Sequence, residues 1–167
     1  LRNEKVKAVI FEKESDKLKV VSSNEENFSN TIEDASLEEF ITVLDKAVSG
    51  AEVTLSTSID EYRTILALKD NWIEGEKIKK DYLEKLKKAG EELGLDPIGF
   101  LTFSESITNY LQQEEGAPVT AILAEVGNKY LTVYYIKSGR VMEAKTSEIH
   151  QGAAFTVDTL LKHLETP

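Results

Sequence analysis

The residues with the most chemical promise lie in Glu125-Val126-Gly127-Asn128-Lys129-Tyr130-Leu131-Thr132, where one apolar run ends on a carboxylate and a glycine before another begins. A glycine lets backbone amides approach an anion closely, so the stretch reads either as a loop that could hold phosphates or as part of a plain β-meander. The same residues also make an ordinary tight turn, because Asn128 tolerates the left-handed conformation of a two-residue hairpin loop. Gly152 stands ahead of a helical pattern, and a helix N-terminus favours an anion; it equally serves to begin that helix. Glu125, Gly127, Asn128 and Gly152 are therefore the candidate phosphate contacts.

Other constellations are less complete. His150 and His163 have no histidine or carboxylate partner at ligand spacing, so no metal site is assigned. Ser104-Glu105-Ser106 lacks the glycine-flanked elbow of a hydrolase nucleophile. In "VIFEKESDKLKV" the turn holds no glycine, and Glu12, Glu14 and Asp16 would repel phosphate; these residues read as a solvated hairpin tip. A metal-dependent nuclease would need Glu12, Glu125 and a further acid to converge.

Composition narrows the field. The chain has 167 residues, 41% of them hydrophobic, and carries 30 acidic against 20 basic side chains for a net charge of −10. Such a surface repels phosphate backbones, so no nucleic-acid partner is expected. The lysines at 77, 79, 80, 85, 87 and 88 alternate with Glu76, Asp81, Glu84, Glu91 and Glu92, the pattern of a solvated helix face. There is no cysteine, hence no disulfide framework. No apolar run approaches the ~20 residues of a membrane span. The start at leucine leads us to expect a fragment or processed chain, whose targeting or anchoring segments would lie outside these residues.

The elements that must position the candidate residues follow from periodicity. Alternation in "KVKAVIFEKESDKLKVVSS" predicts a hairpin around Glu14-Ser15-Asp16. Ser36-Leu37-Glu38-Glu39 is a capping box opening a helix with Phe40, Val43, Leu44 and Ala47 on one face and Gly50 as its stop. Two short strands, "AEVTLSTSI" and "YRTILALK", precede a helix over 76–93 closed by Gly94. "LDPIGFLTF" reads as a buried parallel strand, and Ser104 as the cap of the helix after it. Strands at 118–126, 129–137 and 140–147, the last two joined by Ser138-Gly139, lead to a final helix, "GAAFTVDTLLKHL". Trp72 is placed as a lid over the core edge or an exposed anchor. Tyr130 and Tyr134 share one strand face, read as an exposed surface for pairing with another chain. The breaker "QQEEGAP" divides the chain into 1–116 and 117–167. Strands alternating with helices give an α/β class.

From about residue 76 to 164 this order resembles the actin-like ATPases, especially bacterial members of the PilM and FtsA type. The resemblance rests on Leu93-Gly94-Leu95-Asp96-Pro97 ending a helix, on Phe103-Ser104-Glu105-Ser106 opening the next, and on the Glu125–Thr132 hairpin in the place of a "D-x-G-x-x-x-T" motif. It implies a ribonuclease-H-like fold, a mixed sheet with flanking helices, with one lobe and the start of a second. In that family the hairpin amides cradle a phosphate while an aspartate arranges magnesium. Here Glu125 replaces the aspartate and Asn128-Lys129-Tyr130 replaces small and hydroxyl residues; the extra methylene of Glu125 displaces a metal-bound water enough to spoil in-line attack. The resulting expectation is a scaffold or assembly module without catalysis or cofactor, working through protein partners or self-association. The alternative is an ATP- and magnesium-binding domain whose other parts lie outside this chain. By the same resemblance the expected location is cytoplasmic, held at the inner face of the membrane by a partner or a missing segment.

Overall fold

The computed structural model describes residues 4–15, 17–53, 55, 63–126 and 130–148. The chain divides into two compact units, Leu1–Leu101 and Thr102–Pro167. Its class is mixed α/β, with sheets and flanking helices.

The first unit opens on an antiparallel hairpin of β1 (Lys5–Glu14) and β2 (Lys17–Asn27). The period-2 pattern works as expected at its base, where Val6 packs against the core and pairs with Glu26. Ile10 pairs with Ser22 but Phe11 with Val20, so Val21 is a bulge residue that increases the local twist. Ser15 turns the chain at φ 57°.

Helix α1 (Leu37–Glu52) lies on this hairpin. Ser36 caps it, its Oγ accepting from the Glu39 amide at 3.1 Å. The expected return contact from Glu39 is replaced: its carboxylate accepts instead from the Ser29 amide at 2.8 Å, tying the incoming loop to the helix. Gly50 is not the stop that the sequence suggested. The helix runs through it to Glu52, and the first residues of the run read as a strand belong to this last turn. The reason is close approach: a Cβ on Gly50 would collide with the Asn24 side-chain amide. Asn24 Nδ2 reaches the Lys46 carbonyl at 3.2 Å, and Ser22 Oγ donates to the Ala51 carbonyl at 2.6 Å. The hairpin thus supplies donors to helix carbonyls near and at the C-terminal end.

Strand β3 (Arg63–Leu68) precedes a short 3₁₀ turn over Asp70–Trp72 and a small hairpin of β4 (Ile73–Glu74) and β5 (Lys77–Ile78). Gly75, at φ 62°, makes the hairpin turn, which is why α2 begins at Lys80 rather than near residue 76. Helix α2 (Lys80–Leu93) ends as expected at a left-handed Gly94. Helices α1 and α2 pack together over a core of Phe28, Phe40, Val43, Leu68, Trp72 and Leu86.

Strand β6 (Asp96–Thr102) pairs with β3. Its continuous apolar run predicted burial on both faces, but Ile98 and Phe100 are exposed. An apolar run shows that a strand could be covered twice, whereas β6 is covered too little to bury those two side chains.

The second unit contains α3 (Phe103–Glu115) and an antiparallel meander of β7 (Ala121–Val126), β8 (Tyr130–Lys137) and β9 (Arg140–Glu148). Both turn residues between β8 and β9, Ser138 at φ 50° and Gly139 at φ 73°, are left-handed, as that two-residue loop requires. Helix α3 packs against β9. Among the described residues no helix is long and apolar enough to cross a membrane.

Candidate functional site

Of the candidate phosphate contacts, Glu125 is described; Gly127, Asn128 and Gly152 lie outside the described residues, as do His150, His163 and the final helix. Glu125 sits one residue before the end of β7, paired with Thr132. Its Oε2 accepts a hydrogen bond from the Tyr134 hydroxyl at 2.8 Å. The register explains the contact, since Tyr134 pairs with Leu123 and so stands diagonally across the same face from Glu125. Phe103, the first residue of α3, brings its ring to within 6.4 Å of the Tyr134 ring. Tyr134 is only 2% exposed, so the tyrosine face read as an association surface is instead a buried one. Tyr135, on the opposite face, is the exposed residue, and the side chain of Tyr130 lies outside the description.

The N-terminus of α3 carries a reciprocal cap. Thr102, not Ser104, is the cap residue: its Oγ1 accepts from the Glu105 amide at 3.3 Å, and Glu105 Oε2 accepts from the Thr102 amide at 3.0 Å. The neighbouring hydroxyls turn inward on the backbone, Ser106 to the Thr102 carbonyl and Thr108 to the Ser104 carbonyl, both at 2.7 Å. A carboxylate thus already satisfies the helix end, and the Ser104-Glu105-Ser106 run is structural.

In the first unit, Glu12 and Glu14 are exposed near the hairpin tip, and Glu14 pairs with Lys19 at 3.2 Å. That is the solvated tip anticipated for this segment. Among the described residues, no group of three or more histidines, aspartates or glutamates is arranged to hold a metal ion.

The most perturbed ionisable groups form a knot that the sequence did not single out. Glu33 accepts from Trp72 Nε1 at 3.2 Å and from Lys69 Nζ at 3.2 Å, while Lys69 also reaches Glu4 at 2.6 Å. Trp72 is buried and stacks on Tyr82 at 4.3 Å with the rings nearly parallel, so the lid reading of Trp72 is correct and the exposed-anchor reading is not. Lys85, expected on a solvated face, donates to the Ala35 carbonyl at 2.7 Å. Partial burial pushes the Glu33 carboxyl up, but the Lys69 charge, its own backbone amide and the bonds from Trp72 and Lys69 outweigh it and hold it below the ordinary range. Burial likewise pushes Lys69 down, and its bond to Glu4 with the charges of Glu33 and Glu4 carries it above the ordinary value. Burial, then the Glu33 charge, raises the Tyr82 hydroxyl.

A depressed carboxylate stabilises the fold above its unfolded pKa and loses that contribution as pH falls through its folded value. Trp72 fluorescence should therefore report a urea midpoint that declines from about pH 5 downward. In Glu33→Gln the decline should be shallower, and an unchanged slope would show that Glu33 does not carry it. Lys69 acts in the opposite sense, its contribution being full below about pH 10 and lost as pH rises through its folded value.

No protein-family model matches this chain. No curated protein matches it either. Among solved structures, it is similar to the type II variant of the Aquifex aeolicus Ppx/GppA phosphatase, at 13% identity and a TM-score of 0.47, over 86% of this chain and 48% of that one. A second structure, of the Aquifex aeolicus PPX-GPPA enzyme, aligns at 14% identity and a TM-score of 0.43, over 87% of this chain and 48% of that one. The chain spans about half the length of these structures.

The knot was missed because Glu33 lies in a polar connection, "NTIEDA", whose composition reads as loop. Residues 4, 33, 69 and 72 meet only through tertiary structure. One local signal was available: a lone tryptophan beside aspartate and asparagine has an indole N–H that burial obliges to find an acceptor.

Proposed function

We propose that this chain is a non-catalytic assembly module on an actin-like framework, acting through protein–protein contact. One observation carries the proposal, the hydrogen bond from Tyr134 to Glu125. A carboxylate that arranges magnesium and water has to present its lone pairs to the ion. Glu125 directs one oxygen to a buried tyrosine of its own meander, which gives it a structural task at the position where the PilM- and FtsA-type resemblance implies a catalytic one. The added methylene of glutamate and the glycine-free tip between β1 and β2 support the same reading.

The competing proposal, an ATP- and magnesium-binding lobe completed by segments beyond this chain, is favoured by the glycine kept at 127. Its phosphate contacts would be Gly127, Asn128 and Gly152. Calorimetric titration with ATP and magnesium separates the two. The module reading expects no saturable heat at millimolar nucleotide. Saturable binding that disappears in Gly127→Val would overturn it. Attachment at the inner face of a membrane through a partner belongs to the same proposal, and co-sedimentation with a reconstituted partner is its test.

A further inference from the structure

The hairpin of β1 and β2 has two faces, and α1 covers one of them. The outer face carries Val9, Phe11, Val20 and Leu18, at 41, 44, 64 and 67% exposure. The register makes them a contiguous patch: Phe11 pairs directly with Val20, Val9 precedes Phe11 by two residues, and Leu18 follows Val20 toward the turn. Four large apolar side chains on one exposed ribbon are more than scattered surface residues. Lysines flank the patch on the same face: Lys13 at one end, beside Leu18, and at the other Lys7, whose cross-strand neighbour Glu25 is held by Lys5 at 2.7 Å, so each end keeps one uncompensated positive charge. Neither joins an ion pair among the described residues, although the chain carries a net charge of −10.

We infer that this outer face docks an amphipathic helix of a partner protein, with an apolar stripe along its length and a carboxylate near each end. The inference rests on the assembly-module reading and names its partner's chemistry. The dimensions fit: Lys7 to Lys13 spans roughly 20 Å of strand, the length of a helix of about 13 residues. A two-stranded ribbon with its side chains is about as wide as one helix. Layering a second helix opposite α1 would complete a helix–sheet–helix sandwich. Charge selects the occupant. Two copies of this face packed antiparallel would set Lys13 of one against the Lys5, Lys7 and Glu25 cluster of the other, whose net charge is positive, a contact that opposes self-association, whereas a carboxylate near each end of a partner helix would neutralise Lys7 and Lys13.

The test uses the full chain and two synthetic helical peptides of ~14 residues, identical in their leucine stripe, one with glutamate near both ends and one with lysine. Fluorescence anisotropy should show saturable binding of the glutamate peptide and at least ~10-fold weaker binding of the lysine peptide, a difference of about 1.4 kcal/mol. The Lys7→Glu/Lys13→Glu variant should reverse that preference, and Phe11→Ser should abolish binding while the thermal midpoint seen by Trp72 stays unchanged. No saturable binding of the glutamate peptide, or equal binding of both peptides, overturns the inference. So does concentration-dependent self-association that Phe11→Ser removes, since the occupant would then be a second copy. Failure of the peptides with a null ATP titration sinks this face alone; nucleotide binding sinks the module reading instead.

Discussion

Trp72→Ala is expected to cost about 3–5 kcal/mol of unfolding free energy, the usual range for emptying a large buried aromatic site. Trp72 is 3% exposed, stacks on Tyr82 and lies 6.4 Å from Phe40, so its removal opens a large void in the first core. The loss also removes the indole donor to Glu33, leaving that carboxylate to Lys69. A domain holds about 5–15 kcal/mol in total, so this single change should leave the first unit marginal or unfolded. Urea denaturation followed by far-ultraviolet circular dichroism measures it, since the variant has no tryptophan to report. Trp72→Phe keeps a ring over Tyr82 and loses only the donor to Glu33, and should cost about 1–2 kcal/mol. If the alanine variant lost less than about 1 kcal/mol, the packing role given to Trp72 would be wrong.

The second large effect falls in the other unit. Tyr134 is among the largest fully buried side chains, held between the meander and Phe103. Tyr134→Ala should lose about 3–5 kcal/mol. Tyr134→Phe should lose only about 1 kcal/mol, because the exposed Glu125 recovers water when the hydroxyl goes. The informative measurement is the double-mutant cycle with Glu125→Gln. A coupling of about 0.5–1.5 kcal/mol, insensitive to magnesium, is expected if Glu125 serves the meander. Coupling that changes sign or vanishes on adding magnesium would return Glu125 to the role of an ion-holding carboxylate.

These experiments bear on residues whose types were visible in the sequence but whose neighbours were not. Local signals held where the physics is local. Ser36 caps α1, Gly94 closes α2, and Ser138-Gly139 turns β8 into β9, because each depends on the backbone of two to four consecutive residues. Local signals failed where a distant group decided. Gly50 carries the composition of a helix stop, yet the side chain of Asn24 explains it as close approach. Ser104 and Thr102 are both competent caps, and the choice followed from where β6 releases the chain. Glu76 to Lys79 has good helical spacing, but Gly75 spends those residues on a turn and a two-residue strand. The face bearing Tyr134 could not be assigned from alternation, which separates two faces without saying which one α3 will cover. Glu125 was legible as a residue near the end of a strand, and β7 carries it one residue before its last. The tyrosine that engages that carboxylate was legible only as a strand residue.

The donors that β2 extends to α1 have a consequence for how the first unit opens. Ser22 holds the Ala51 carbonyl in the last turn, which in a solitary helix would fray first, and Asn24 adds a bond to the Lys46 carbonyl further in. With the end carbonyl of Ala51 satisfied from the strand, the helix end cannot loosen without withdrawing a partner from the hairpin. The hairpin cannot peel away without exposing the helix end in turn. Strand and helix therefore melt as one cooperative block, and the tail of α1 exchanges its amides on the clock of the sheet rather than on its own.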